Sequence, residues 1–176
     1  MANHAMYGSN KYSEENNNVV LFSQDYGTAG ATHTNSTDAA DLFSYSIPAN
    51  TLEVGDVVKI KVYATVTDNN STDTLTPVLN FGGSAISSGA ALDVADGDLV
   101  WCEAEVSVTA VGSAGTMTSY AKIFTDAGGS VSLMERTLLT SKDTTGALAI
   151  ALNVDWSVAD ATNIVRLDKV HIEKLG

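Results

Sequence analysis

The chain has 176 residues, 44% of them hydrophobic, and a formal net charge of -12 from 9 basic and 21 acidic residues. This size and apolar content fit one domain with a core of ordinary size and exclude a disordered chain. The basic residues form no cluster along the sequence, which argues against direct binding to nucleic acid or to anionic membrane, and the single cysteine, Cys102, excludes an internal disulfide framework.

Residues 1–18 are polar, lack any period and end in Glu14-Glu15-Asn16-Asn17-Asn18. They read either as a frayed terminus or as an N-terminal arm that orders on a neighbouring subunit, with Met6, Tyr7 and Tyr12 as its anchors. The segment has no apolar core of the signal-peptide kind, and no run in the chain approaches the length of a membrane span. Residues 19–176 are expected to form the folded domain.

Val19 to Ser23 reads as a short strand, followed by a Gly/Thr/Asn-rich loop from Asp25 to Asp38 that contains His33. Leu42 to Ile47 alternates, with Phe43, Tyr45 and Ile47 assigned inward, and Pro48 ends it. From Val58 to Thr67 the alternation is strict: Val58, Ile60, Val62, Ala64 and Val66 share one face, and Lys59, Lys61, Tyr63 and Thr65 the other. Such a pattern means one buried and one wet face.

Thr74 to Phe81 predicts a partner strand with Leu75, Leu79 and Phe81 inward, in which Pro77 argues for an edge or a bulge. Short strands follow at Ala85 to Ser87 and Ala91 to Val94. Leu99 to Val111 alternates again, with Val100, Cys102, Ala104, Val106 and Val108 opposite Trp101, Glu103, Glu105, Ser107 and Thr109. Gly112 to Gly115 marks a hairpin loop, Thr116 to Phe124 the returning strand, and Val131 to Leu139 a further one before the polar loop Ser141 to Gly146. Leu148, Ile150, Leu152, Val154 and Trp156 form the cleanest single-face set. Ile164 to Leu175 closes the domain, with a bulge expected at Asp168. No stretch predicts a helix of three turns. The sum is an all-β sandwich of about 8–10 antiparallel strands, and the long connections favour a jelly roll over a meander.

No catalytic or cofactor signature emerges. His4, His33 and His171 lack metal-ligand spacing, and His171 alternates with Lys169 and Glu173 as a solvent-facing residue would. Asp93, Asp96 and Asp98 lie in a turn-forming string that is not a calcium loop. Glu103 and Glu105 share a strand face at about 7 Å, a spacing that also suits a glycosidase pair, but adjacent acids on a surface strand are far more often only solvated. Cys102 falls on the apolar face and reads as buried and inert. Trp101 falls on the charged face, where an exposed indole calls for a partner: a subunit, a sugar or a covering loop.

Ser46-Ile47-Pro48-Ala49-Asn50-Thr51-Leu52, then Val54-Gly55-Asp56-Val57-Val58-Lys59-Ile60, resemble the opening half of jelly-roll virion proteins of tailed bacteriophages. Trp101 to Val106, Gly115-Thr116-Met117 and Ile164 to Glu173 follow in the same order, so the resemblance spans about Phe43 to Leu175. It implies a non-enzymatic protein without cofactors: a capsid decoration (cement) protein, made in the host cytoplasm and bound as a homotrimer to the major capsid protein on the virion surface. The alternative is a receptor- or glycan-binding fibre or tail domain. No catalytic residue is carried over, and Met6, Tyr7, Tyr12 and Trp101 are the expected partner contacts.

Overall fold

The computed structural model describes residues 18–70, 72–126 and 134–176. Among them are twelve strands: β1 (Val19–Asp25), β2 (Thr32–Thr34), β3 (Ala40–Ile47), β4 (Val57–Asp68), β5 (Thr74–Phe81), β6 (Ser84–Ser88), β7 (Leu92–Asp93), β8 (Leu99–Ala110), β9 (Gly115–Thr125), β10 (Glu135–Lys142), β11 (Leu148–Trp156) and β12 (Ile164–Leu175). They form two antiparallel sheets. The larger has seven strands in the order β1-β12-β4-β8-β9-β10, with β2 also paired to β12; the smaller has five, β3-β11-β5-β6, with β7 also on β5.

The pairing is that of one long hairpin wrapped around itself. First pairs with last, β1 with β12, and moving inward β3 pairs with β11, β4 with β8, and β5 with β6. Successive pairs alternate between the sheets, which is the jelly-roll arrangement. The β9–β10 hairpin is an addition that widens the larger sheet beyond β8.

The alternation in the sequence builds the core directly. Val58, Ile60, Val62 and Val66 on β4, and Cys102 and Val106 on β8, are fully buried, as are Ile150, Leu152 and Val154 on β11 across the sandwich. One open side is closed where Phe22 packs its ring against Phe43 and Tyr45, at centroid distances of 5.5 and 5.3 Å. Elsewhere the two sheets are tied by Lys142, whose buried ammonium donates to the Gly82 carbonyl at 2.8 Å and the Ser84 hydroxyl at 2.6 Å. Gly82 has φ +54 at that turn, a conformation that glycine adopts without strain.

Several expectations shift. Leu42, placed outward by simple alternation, is buried together with Phe43, because the β3–β11 register slips between Leu152 and Asn153 and makes Leu42 the extra residue of a bulge. Pro77 is not on an edge strand: β5 lies between β11 and the β6/β7 pair. It is accommodated because β7 covers Thr74 and Leu75 while β6 begins again at Val78, so the proline faces the gap and needs no N–H there. Gly89 crosses that gap, and its N–H donates to the Pro77 carbonyl at 2.8 Å. The tenth described strand, Glu135–Lys142, ends later than the predicted 139, and residues 127–133 lie outside the described residues. The loop from Asp25 to Asp38 contains a 3-10 turn (Gly27–Ala29) and β2, and His33 lies on that strand, buried, instead of in a loop. The bulge expected at Asp168 is present, between Leu167 and Lys169.

Gly30 precedes β2 where the chain crosses β12. A Cβ built there would lie 1.6 Å from the Leu167 carbonyl oxygen, a backbone atom that cannot swing aside. Gly30→Ala is therefore expected to destabilise the domain by an amount at the upper end of about 1–3 kcal/mol. Urea unfolding of the variant checks this; a midpoint equal to the parent's would show that the crossing yields.

Candidate functional site

The outer face of the seven-stranded sheet is a grid whose rows run across the strands. In one row the register places Asp25, Lys169, Tyr63, Trp101 and Phe124 side by side on β1, β12, β4, β8 and β9. In the next row stand Ser23, His171, Lys61, Glu103 and Lys122, and in the third Glu173, Lys59, Glu105, Tyr120 and Arg136. The first row is thus aromatic from β4 to β9 and the other two are mostly charged.

Trp101 and Phe124 are stacked, with centroids 4.8 Å apart and planes inclined by 15°. The Lys122 ammonium lies 4.2 Å from the Phe124 centroid, a cation–π contact. Tyr63 is half-buried, and among the described residues its side chain makes neither a ring contact nor a hydrogen bond. Below this row the charges interlock: Lys61 and Lys122 approach Glu103 at 3.8 and 3.4 Å, and Lys59 approaches Glu105 at 3.7 Å. These are exposed pairs, each contributing little to stability.

Two shallow depressions lie on this face and share Lys61 and Glu173. One, of about 660 Å³, is lined by Tyr63, Lys169, His171, Ser23, Asp25 and Asp168 as well. The other, of about 540 Å³, is bordered by Tyr120, Lys122 and Met134. In the first, Asp168 is held by Arg166, whose Nε and Nη2 donate to Oδ1 at 3.0 and 2.9 Å, and by the Thr65 hydroxyl, which donates to Oδ2. His171 Nδ1 lies 3.2 Å from the Ser23 hydroxyl, and its Nε2 is 3.7 Å from Glu173.

Of the residues named from sequence, Trp101 takes its place in the aromatic row, half-buried against Phe124. Met6, Tyr7 and Tyr12 lie outside the described residues. Glu103 and Glu105 both face outward and are tied to lysines. Asp96 and Asp98 accept backbone N–H groups, from Asn69 at 2.7 Å and Ala95 at 2.6 Å. No group of three or more His, Cys, Asp or Glu among the described residues is placed to hold a metal ion. Cys102 is buried, and burial pushes its thiol up to about 12, which leaves no reactive thiolate at neutral pH. Tyr63, Phe124 and Lys169 were not singled out in the sequence. The available signal was parity: Tyr63 and Trp101 fall on the polar face of their respective strands.

No family model and no curated protein matches the chain. Among solved structures it is similar to the EclA C-terminal domain, a sugar-binding protein, at 12% identity over 96% of this chain and 86% of that one, with a TM-score of 0.39. It is also similar to the CBM2 module of the evolved Dit of Lactobacillus casei BL23 phage J-1, at 15% identity over 75% of this chain and 68% of that one, with a TM-score of 0.29. Superpositions this loose assign the chain to no family.

Proposed function

We propose that the chain is a non-enzymatic binding module that holds a saccharide against the outer face of its seven-stranded sheet, as a receptor- or glycan-recognition domain of a phage fibre or tail. The observation that supports this is the row Tyr63–Trp101–Phe124 on a solvent-facing sheet, next to a depression rich in hydrogen-bonding side chains. A pyranose ring has an apolar C–H face that packs on aromatic side chains and hydroxyls that bond to charged groups, so it matches both features. From β4 to β9 the row crosses two inter-strand spacings, about 10 Å, which is the length of about two sugar rings.

The Trp101–Phe124 stack also stabilises the sheet by itself. Tyr63 is the discriminating residue, since it has no partner to lose. On a glycan array the labelled protein is expected to select a set of saccharides, and Tyr63→Ala to weaken the best of them at least about tenfold with an unchanged melting temperature. An array without any selected glycan, or a Tyr63→Ala protein that binds like the parent, overturns the proposal.

Capsid decoration, the homotrimer and contact with a major capsid protein are implied by the sequence resemblance, and no observation on the described residues favours them over receptor recognition. A stained gel of purified particles separates the two: a cement protein is present in very many copies, a fibre or tail tip in few. Sedimentation equilibrium tests the trimer independently.

A further inference from the structure

We infer that the saccharide is anionic, bearing a carboxylate, sulfate or phosphate, and that Lys169 reads its charge; this rests on the saccharide-binding reading above. The charges of the chain are divided unevenly. Six of its 9 basic residues, Lys59, Lys61, Lys122, Arg136, Arg166 and Lys169, take outward positions on the seven-stranded sheet, against five of its 21 acidic ones, Asp25, Glu103, Glu105, Asp168 and Glu173. The rest of the chain carries three basic and sixteen acidic residues. This face is therefore where a negatively charged ligand meets the least repulsion from a strongly acidic protein.

Within the face the cations are not equivalent. Lys59, Lys61, Lys122 and Arg166 each have a carboxylate within 4 Å. Lys169 is exposed and has none among the described residues, although Asp25 is its register partner on β1. Asp25 instead holds its own turn: its Oδ1 accepts the Gly27 N–H at 3.1 Å. Of the other acids of the depression, Asp168 is engaged by Arg166 and Thr65, and Glu173 lies 3.7 Å from His171. Arg136, the other cation on this face without a carboxylate among the described residues, is at the far side of the sheet next to Tyr120. Among the described residues, Lys169 alone combines an ammonium without a carboxylate partner with a place beside Tyr63 at the open end of the aromatic row. A substituent carried by a sugar packed on Tyr63 meets that ammonium first.

The test uses matched pairs of glycans that differ only in charge: uronates against their methyl esters, and sulfated or glycerol-phosphate-substituted sugars against the unsubstituted ones. The full chain is expected to bind the charged member of a pair about tenfold more tightly at low salt, with the difference shrinking as ionic strength rises. The kind of pair that shows the largest difference identifies the anion. Lys169→Gln is expected to abolish the difference, and Tyr63→Ala to weaken both members. Equal binding of both members by the parent, or a Lys169→Gln protein that keeps the preference, overturns this inference and leaves the saccharide-binding reading standing. Failure of every glycan to bind overturns both.

Discussion

Asp56→Ala is expected to cost about 3 kcal/mol of stability, because it strands a largely covered cation. Asp56 is buried in the turn that leads into β4. Its Oδ2 accepts the Glu53 N–H at 2.8 Å and the Lys174 ammonium at 3.1 Å. The Lys174 side chain is 14% exposed and the Asp56 side chain 6%, so water screens the pair weakly. The same turn is docked on the end of β8, where Val108 N–H donates to the Asp56 carbonyl at 2.8 Å and Gly55 N–H to the Val108 carbonyl at 3.0 Å. Alanine removes both side-chain bonds and leaves the ammonium without its counter-ion. Lys174→Met should cost less, since Asp56 keeps its bond to Glu53 and the methionine stem fills similar space. Asp56→Ala combined with Lys174→Met should then be more stable than Asp56→Ala alone. Urea unfolding of the three variants measures the coupling; purely additive effects would mean that the pair contributes nothing.

Trp156→Ala is expected to have an effect of similar size, about 3–5 kcal/mol. Trp156 ends β11 opposite Leu75 and is 1% exposed, the largest of the fully buried side chains. Removing the indole opens a cavity between sheets that are held in place by their own ladders and cannot close over it. For a domain of this size the loss corresponds to a drop of about 6–20 °C in melting temperature. Trp156→Phe, which keeps most of the ring volume, should fall by much less. A Trp156→Ala protein that melts within about 2 °C of the parent would show that β11 does not end in the core.

The long strands were legible because their alternation is uninterrupted. In β4, β8 and β11 each residue could be given a face without knowing its partner strand. Legibility failed where the ladder is irregular. Leu42 is buried by a bulge that only the β3–β11 register reveals. Pro77 is tolerated in a central strand only because two short strands, β6 and β7, leave a gap opposite it. His33 is buried by a three-residue strand, too short to show a period.

The proposed binding face was half legible. Trp101 could be placed on a polar strand face, and the indole there implied a partner. What it stands beside was hidden, because Tyr63, Phe124 and Lys169 reach it from strands that are remote in sequence and adjacent only in the sheet. The same wrapping explains the charge distribution. The basic residues are scattered along the chain, and the order β12-β4-β8-β9-β10 gathers six of them onto one surface.

The most direct test of saccharide binding on this face is backbone NMR of the full chain, titrated with the glycan that the array selects. Chemical-shift changes are expected on the central strands of the larger sheet, at Tyr63, Trp101, Phe124, Lys169 and His171 and their neighbours, with β3, β5 and β11 of the smaller sheet unaffected. Changes confined to the smaller sheet or to the loops at the ends of the sandwich would contradict the account.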